Sequence, residues 1–557
     1  MSRKRKDART RLKRRAPPRL TASQEELTAI ALKAGAALST EESAALQAAI
    51  ALIGFLRTEI DAKTLSVERF QRMIFGAATE KTAAVLGGAP GETPDGLPSD
   101  RPAGTGARAP RAGHGRHAAS VYTGAQRVTI PHPALVAGDT CPGCSTGKVY
   151  PLGAPATAVR IAAMAPLSAT VYERDRLRCN LCGEIHTAPA PAAVGDAKYD
   201  ETVPAMIGML KYGAGLPFHR IERLQAGMGV PLPAATQWDL VKAAAMTLSP
   251  VHEELIRQAA QGRVLHNDDT TMKILKLTAA QRAAALGHDT EASRTGVFTS
   301  GIMAVEAGRK IALFFTGARH AGENLAQVLA RRATDLPPPI HMCDGLSANE
   351  PKDCETLLAR CLAHSRRKYV EVAASFPAEA RFVLETLQEV YKTDSEAREQ
   401  GLSPAERLRV HQEDSGPRMA ALWEWMQAQL AEHRVEPNAT LGLAIRYMQK
   451  HWEALTLFLR VPDAPLDNNT AEQVLKKAIL HRKNALFYKT ASGAQVGDLF
   501  MSLIHTCELA SVEVFGYLVA LLQYEQEAAA RPQDWMPWNY EATRAGLTGD
   551  GGPDPPA

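Results

Sequence analysis

The amino-acid sequence predicts a multidomain α+β protein, mostly helical, in which one long segment alternates strands with helices. Three observations predict it. Residues 41–80 and much of 197–260 carry apolar residues at helical spacing. Two Cys-x-x-Cys pairs, separated by 34 residues, bracket short strand-like runs. From residue 263 the pattern changes to apolar runs of strand length, interrupted by a helix and later by a long helical stretch.

The 557 residues suffice for several domains and at least one large core. A hydrophobic fraction of 45% with 22% charged residues is that of soluble globular protein. The net charge of +4 conceals an uneven distribution. The first twenty residues, MSRKRKDARTRLKRRAPPRL, hold ten Lys or Arg and one acid. Residues 1–40 are therefore expected to be a disordered basic tail, attracted to polyanions or serving solubility alone. No apolar h-region follows, which argues against a secretory signal. The longest apolar run, AALQAAIALIGFL at 44–56, is too short to span a bilayer. A cytoplasmic protein without a membrane partner is the expectation.

Residues 41–84 repeat Leu46, Ile53, Ile60, Val67 and Ile74 every seven positions. This predicts a coiled-coil helix or an amphipathic helix packed on its own domain. Residues 85–120 read as a linker, since thirteen of residues 85–117 are Gly or Pro. Residues 121–190 contain CPGC and RCNLCGEIH. Four thiolates from Cys141, Cys144, Cys179 and Cys182 suit a tetrahedral Zn²⁺, as in a zinc ribbon that binds DNA. Residues 195–260 are expected to be helical. FHRIERLQAGMGVPLPAATQWDLVKAAA (218–245) reads as helix, Gly-containing turn and helix, either a helix-turn-helix or two packed helices.

Residues 261–530 are expected to form the α/β core. RVLHNDDTTMKIL, RTGVFTSGIMAVEAG and RKIALFFTGA predict three strands. AGENLAQVLARRA (321–333) predicts a helix with Ala321, Leu325, Val328 and Leu329 on one face. PPIHMCDG predicts a strand ending in Asp344, and TLLARCLAH a fifth strand. Three strands, a helix and further strands match the order of an RNase H-like core. A helical insertion is expected at about 366–465, a final helix near DNNTAEQVLKKAIL (467–480), and a C-terminal tail at 531–557.

Asp268, Asp344 and Glu472 stand where strands end or a helix begins. Carboxylates so placed can converge and hold two Mg²⁺ (or Mn²⁺) ions for phosphoryl displacement. Each also fits a plainer role. Asp344 before Gly345 suits a turn. Glu472 follows Asn469 at capping-box spacing and precedes Lys476 at salt-bridge spacing. Neighbours on a strand point to opposite faces, so Asp268 and Asp269 cannot both enter one site. Pattern alone does not choose between them.

These motifs resemble the DDE transposases of the insertion sequence 66 family, over about residues 65–520. FQRMIFGAATEK, GHGRH, the two Cys-x-x-Cys pairs and KYGAGLPFHRIERLQAGMGVPL each look like a segment of that family. LHNDDT resembles its H-x-D-E-T motif, and CDG its second aspartate. CLAHSRRKY resembles C-W-A-H-A-R-R, and DNNTAEQVLKKAILHRKNALF its D-N-N-x-x-E-R…R-K-N segment. Leu362, Asp269, Gln473, Lys476-Lys477 and LSANEP depart from the family pattern. The resemblance implies Asp268, Asp344 and Glu472 as a Mg²⁺-binding catalytic triad with Asp269 in support. It implies a bacterial, nucleoid-associated enzyme that cleaves the terminal inverted repeats of its element and joins them to target double-stranded DNA. Homo-oligomers and small accessory proteins of the same element are the implied partners. Arg366, Arg367 and Lys368 are expected to contact phosphates or form a solvated basic face. Arg482, Lys483 and Asn484 are expected to hold DNA near the reaction centre, and Cys361 with His364 to be structural. A domesticated zinc-ribbon DNA-binding protein and an RNase H-like nuclease without transposition are the competing readings.

Overall fold

The computed structural model describes residues 24–35, 38–51, 133–150, 166–178, 180, 185–189, 191, 197–286 and 295–548. The linker at 85–120, most of the expected coiled coil, Cys179, Cys182 and the last nine residues lie outside the described residues. The described residues are mixed α+β and mostly helical, with a five-stranded mixed sheet and two two-stranded sheets.

The expectation of a disordered tail over 1–40 is corrected in part, because Gln24–Gly35 is a helix. The sequence QEELTAIALKAG lies beyond the basic block, is rich in good helix formers and ends on glycine. A second helix starts at Thr40 and is described to Ala51. Ser39 and Glu42 cap it reciprocally, the Ser39 amide donating to Glu42 Oε2 at 2.9 Å.

Around the first Cys-x-x-Cys pair, the Gly138 amide donates to the Val149 carbonyl and the Cys141 amide to the Gly147 carbonyl. Strands Arg176–Arg178 and Ile185–Thr187 pair antiparallel on either side of the second Cys-x-x-Cys.

Helix α1 (Phe218–Gly227) and helix α2 (Ala234–Ala260) follow a helical segment at Thr202–Gly208. The second helix fills the expected helical segment to its end. Helix α2 runs fifteen residues past 245 and buries Val241, Leu248, Leu255 and Ala259 in the core. It packs against the sheet and a C-terminal helix because its apolar stripe continues past 245.

Strands β1 (Val264–Thr271), β2 (Phe298–Glu306) and β3 (Arg309–Gly317) form an antiparallel meander. Ala307 and Gly308, both at positive φ, make the tight turn between β2 and β3. Helix α3 (Ala321–Leu329) then crosses to β4 (Ile340–Cys343) and β5 (Leu357–Arg360). The sheet order is β3-β2-β1-β4-β5, with β1, β4 and β5 mutually parallel.

Helices α4 (Leu362–Val372), α5 (Pro377–Glu399), α6 (Gly416–Ala431) and α7 (Thr440–Lys450) occupy the expected insertion. It divides between two compact units. Ser365–Glu389 and Arg418–Lys450 belong to one, whose described core includes Tyr369, Leu384, Leu422 and Met448. Val390–Pro417 belongs to the unit that contains the sheet. There Asp394 is paired with Arg398, Arg407 and His411, and His411 lies edge-on to Phe458.

Helix α8 (Asn469–Ala485) packs on β1 and β2, and helix α9 (Ala491–Leu509) covers the edge strand β3. Asp498, Ser502 and Thr506 of α9 accept the amides of Thr316, Phe314 and Ala312 at 2.6, 3.0 and 3.1 Å. A helix rises about 6 Å per four residues and a strand about 6.8 Å per two. The two spacings nearly match, so one helix face satisfies the outward amides of the edge strand and blocks further pairing. The expected tail at 531–557 is also corrected. Trp535, Met536 and Tyr540 are core residues, with the Tyr517 hydroxyl donating to the Trp535 carbonyl, and a helix runs over Tyr540–Thr548. Their apolar area outweighs the terminal position.

Candidate active site

Strand β1 carries the doubled acid at its carboxyl end. Asp268 pairs in register with Gly301 and Asp269 with Ser300. Asp344 follows the last residue of β4, the parallel neighbour of β1. Glu472 lies in the first turn of α8, which packs on β1. The fold thus brings the three acids near one another at the carboxyl ends of β1 and β4.

Burial pushes the Asp268 carboxyl up to about 7. The Asp269 amide, donating to Asp268 Oδ1 at 2.8 Å, works against that rise, while repulsion from Asp344, Asp269 and Glu472 adds to it. Asn349 supplies the neutral link. Its Nδ2 donates to Asp344 Oδ1 at 2.8 Å and reaches Asp268 Oδ1 at 3.5 Å. Among the described residues no three His, Cys, Asp or Glu side chains already form a compact metal cluster.

The plainer roles separate here. Asp344 does make a turn, accepting the Leu346 amide at 3.0 Å. Glu472 is not a capping partner, because the N-cap residue is Asn468 and Glu472 sits one position beyond N3. Its carboxylate lies 3.9 Å from His364 Nε2, while His364 Nδ1 is buried and has no hydrogen-bond partner among the described residues. The faces of β1 also separate. Asp269 Oδ2 is 2.7 Å from Nδ1 of His320, the N-cap residue of α3.

Three polar residues that sequence reasoning missed hold the acids in place. Asn468, fully buried, donates to the Asn267 carbonyl at 3.0 Å, and its Oδ1 lies 3.0 Å from His266 Nδ1. Since burial pulls the His266 ring down to about 4, it is neutral and donates from Nδ1. Asn267 donates to the Asn349 carbonyl at 2.8 Å, and its Oδ1 lies 2.9 Å from His341 Nε2. Arg360 donates to the Asp344 carbonyl and pairs with Glu350. Gly322 permits this loop to lie on α3, for a Cβ there would collide with the Glu350 and Ala348 carbonyl oxygens. A charged residue inside the strand-like run LLARC was the available signal for Arg360. The asparagines carried none.

Cys361 is buried, and its Sγ accepts the Asn468 amide at 3.3 Å, joining the end of β5 to the start of α8. Arg366, Arg367 and Lys368 are half-buried on α4, with Lys368 Nζ 4.2 Å above the Tyr447 ring. Arg482, expected to hold DNA near the reaction centre, makes contacts within the chain. It donates to the hydroxyls of Thr270 and Thr271 at 2.8 and 2.9 Å and so ties α8 to the end of β1. Lys483 is exposed, whereas Asn484 is half-buried beside Gly215. At the first Cys-x-x-Cys, amides of Thr146 and Gly147 lower the exposed Cys144 thiol to about 6.

The sequence matches the model of the transposase IS66 family over residues 197–496, more than half of the chain and the span holding all three acids. It is similar to three uncharacterized proteins of Sinorhizobium fredii. The protein y4jD is 26% identical over 422 residues, covering 72% of this chain and 78% of its own. The protein y4hP is 25% identical over 440 residues, covering 75% and 76%. The protein y4qI is 25% identical over 365 residues, covering 62% and 64%. With more than half of its length matching the family model, the chain belongs to the IS66 transposase family.

Proposed function

We propose that the protein is a DDE-type DNA transposase whose RNase H-like core uses Asp268, Asp344 and Glu472 to cleave element ends and join them to target DNA. The observation that carries this reading is the convergence of the three acids on Asp268, whose carboxyl is raised by burial and by the other acids. The sheet order supports the RNase H-like assignment.

The donor set fits Mg²⁺ or Mn²⁺, since hard carboxylate oxygens suit those ions and a cation would relieve the repulsion around Asp268. Bound there, the metal would activate the attacking hydroxyl and stabilise the leaving oxygen. The chain's own residues orient the donors. Asn349 spans Asp268 and Asp344, Asn468 fixes the start of α8 against β1, and Arg360 holds the loop that carries Asp344. Asp269 pairs with His320 and supports the strand end from the opposite face.

Cys141, Cys144, Cys179 and Cys182 are proposed to hold one structural Zn²⁺. Amide hydrogen bonds that favour the Cys144 thiolate suit a zinc ligand. The module at 121–190, the helices at 195–260, Arg366, Arg367, Lys368 and Lys483 are proposed to bind double-stranded DNA. Self-association through residues 41–84 and use of accessory proteins of the same element complete the proposal, in a bacterial cytoplasm near the nucleoid. Among the described residues no helix is long and apolar enough to cross a membrane.

The test is an assay with paired inverted-repeat ends and a target plasmid. Mg²⁺-dependent cleavage and joined product are expected from the wild type, with neither from Asp268→Ala. Cleavage without joining would indicate a nuclease, and unchanged activity in Asp268→Ala would remove the assignment. Elemental analysis is expected to find about one zinc per chain, lost in Cys141→Ser/Cys179→Ser.

A further inference from the structure

At the far end of α8 the chain makes a turn that packing does not explain. Leu486 has φ 67° and ψ −41°, and the Phe487 amide donates to the Ala485 carbonyl across it at 2.8 Å. This is a γ-turn of the positive-φ form, rare and strained for a residue with a branched side chain. Both sides of it are pinned. Before it, Arg482 is bonded to Thr270 and Thr271. After it, Tyr488–Thr490 pairs in parallel with Ile274–Lys276, and Tyr488 is buried with its ring stacked 5.1 Å from that of His481. The tip itself faces solvent. Leu486 is 66% exposed, Phe487 41% and the neighbouring Leu275 49%. Lys483 and Lys489 flank it in the chain, Lys273 and Lys276 lie on and beside the paired strand, and all four are exposed and without an ion pair among the described residues.

We propose that Leu486 and Phe487 form an apolar wedge that enters double-stranded DNA and unstacks a base step, with these lysines on the flanking phosphates. Charge complementarity commits the patch to this partner. A polyanion that also offers apolar base faces matches a tip of two bulky side chains flanked by cations, and inserted Leu or Phe side chains can kink a duplex at flexible steps. Arg482 carries the coupling, because it binds the wedge-bearing helix to the strand holding Asp268, two residues before Thr270. Distortion of the duplex would thus be set at a fixed offset from the acids. The inference rests on the transposase reading and adds to it a specific device for deforming DNA.

The test uses the full-length protein in EDTA and a short duplex with 2-aminopurine at a TA step. Binding is followed by anisotropy, and unstacking by a rise in 2-aminopurine fluorescence. A several-fold rise is expected with the wild type. In Leu486→Gly/Phe487→Ser it should be nearly lost, with a much smaller loss of affinity. Lys483→Ala/Lys489→Ala should weaken binding and reduce the salt slope by about one per lysine removed. Leu486→Gly alone should raise the melting temperature, since glycine adopts positive φ freely, while lowering the fluorescence rise. That opposite movement separates a lost wedge from a damaged fold. Duplex binding with no rise in the wild type, or an equal rise in the variants, would overturn the wedge and leave the transposase reading standing. Absence of duplex binding would remove both. A self-association lost in Phe487→Ser with unchanged unstacking would assign the patch to a second copy of the chain and overturn the proposal.

Discussion

Asn349 donates its side-chain amide to Asp344 at 2.8 Å and reaches Asp268 at 3.5 Å, so one neutral residue spans the two strand-end aspartates. Its own carbonyl is held by Asn267 on β1. Asn349→Ala should leave two neighbouring carboxylates without a shared donor. A loss of about 1–3 kcal/mol is expected in EDTA, partly regained on adding Mg²⁺, with end cleavage lower by about 10- to 100-fold. Thermal melts with and without the cation measure the first effect. An identical Mg²⁺ response in variant and wild type would count against the bridging role.

Asp268 and Asp269 should respond oppositely to the same substitution. Asp268→Asn removes a buried, repelled carboxylate, so cleavage and joining should disappear while stability rises. Asp269→Asn weakens the contact with His320 at the start of α3, so stability should fall by about 1–2 kcal/mol with only partial loss of activity. Equal loss of activity in both variants would undo the assignment of faces.

Asn468 uses both ends of its side-chain amide beside the acids. Asn468→Ala would strip the His266 Nδ1 hydrogen and the Asn267 carbonyl of their partners inside the core. Two unsatisfied buried groups predict a loss of about 2–4 kcal/mol, read from urea unfolding. A loss below about 1 kcal/mol would show that water replaces the amide.

Asp498 predicts a pH dependence far from the acids. Burial pushes its carboxyl from the ordinary 3.8 up to about 7, against the lowering effect of its Thr316 hydrogen bonds. A folded-state pKa above the unfolded one means that the native state holds the extra proton. Stability from this group is therefore full at low pH and declines as pH rises from about 4 to about 7, by an amount on the order of 4 kcal/mol at most. Asp498→Asn can keep both contacts with Thr316. It should be more stable than wild type at pH 8, with the gap closing towards pH 5. A pH-independent difference in denaturant midpoints would reject the explanation.

The meander strands, the helix α3 and the start of α8 were legible because their apolar periods are long and regular, whereas the fifth strand expected in TLLARCLAH stops at Arg360 and Leu362 opens α4. Gln24–Gly35 and Trp535–Tyr540 were misread, since a basic block at one end and Gly-Pro residues at the other suggested tails that extend too far. The helical reading of 195–260 agrees with α2, which continues through Pro250 to Ala260. Arg482 was expected near DNA from its place beyond Glu472 and from the resemblance; its contacts with Thr270 and Thr271, more than two hundred positions earlier in the chain, were not legible.

The sequence by itself determined which acids stand at element ends and that Asp268 and Asp269 face apart, because alternation along a strand is a local property of the backbone. It could not determine what each acid meets. Strand pairing brings Asp344 beside Asp268, the packing of α8 brings Glu472, and buried asparagines and Arg360 from distant segments set their spacing. Those contacts depend on partners far apart in the chain, whose hydrogen bonds follow no periodicity. Only the tertiary structure therefore turned three dispersed carboxylates into one candidate site.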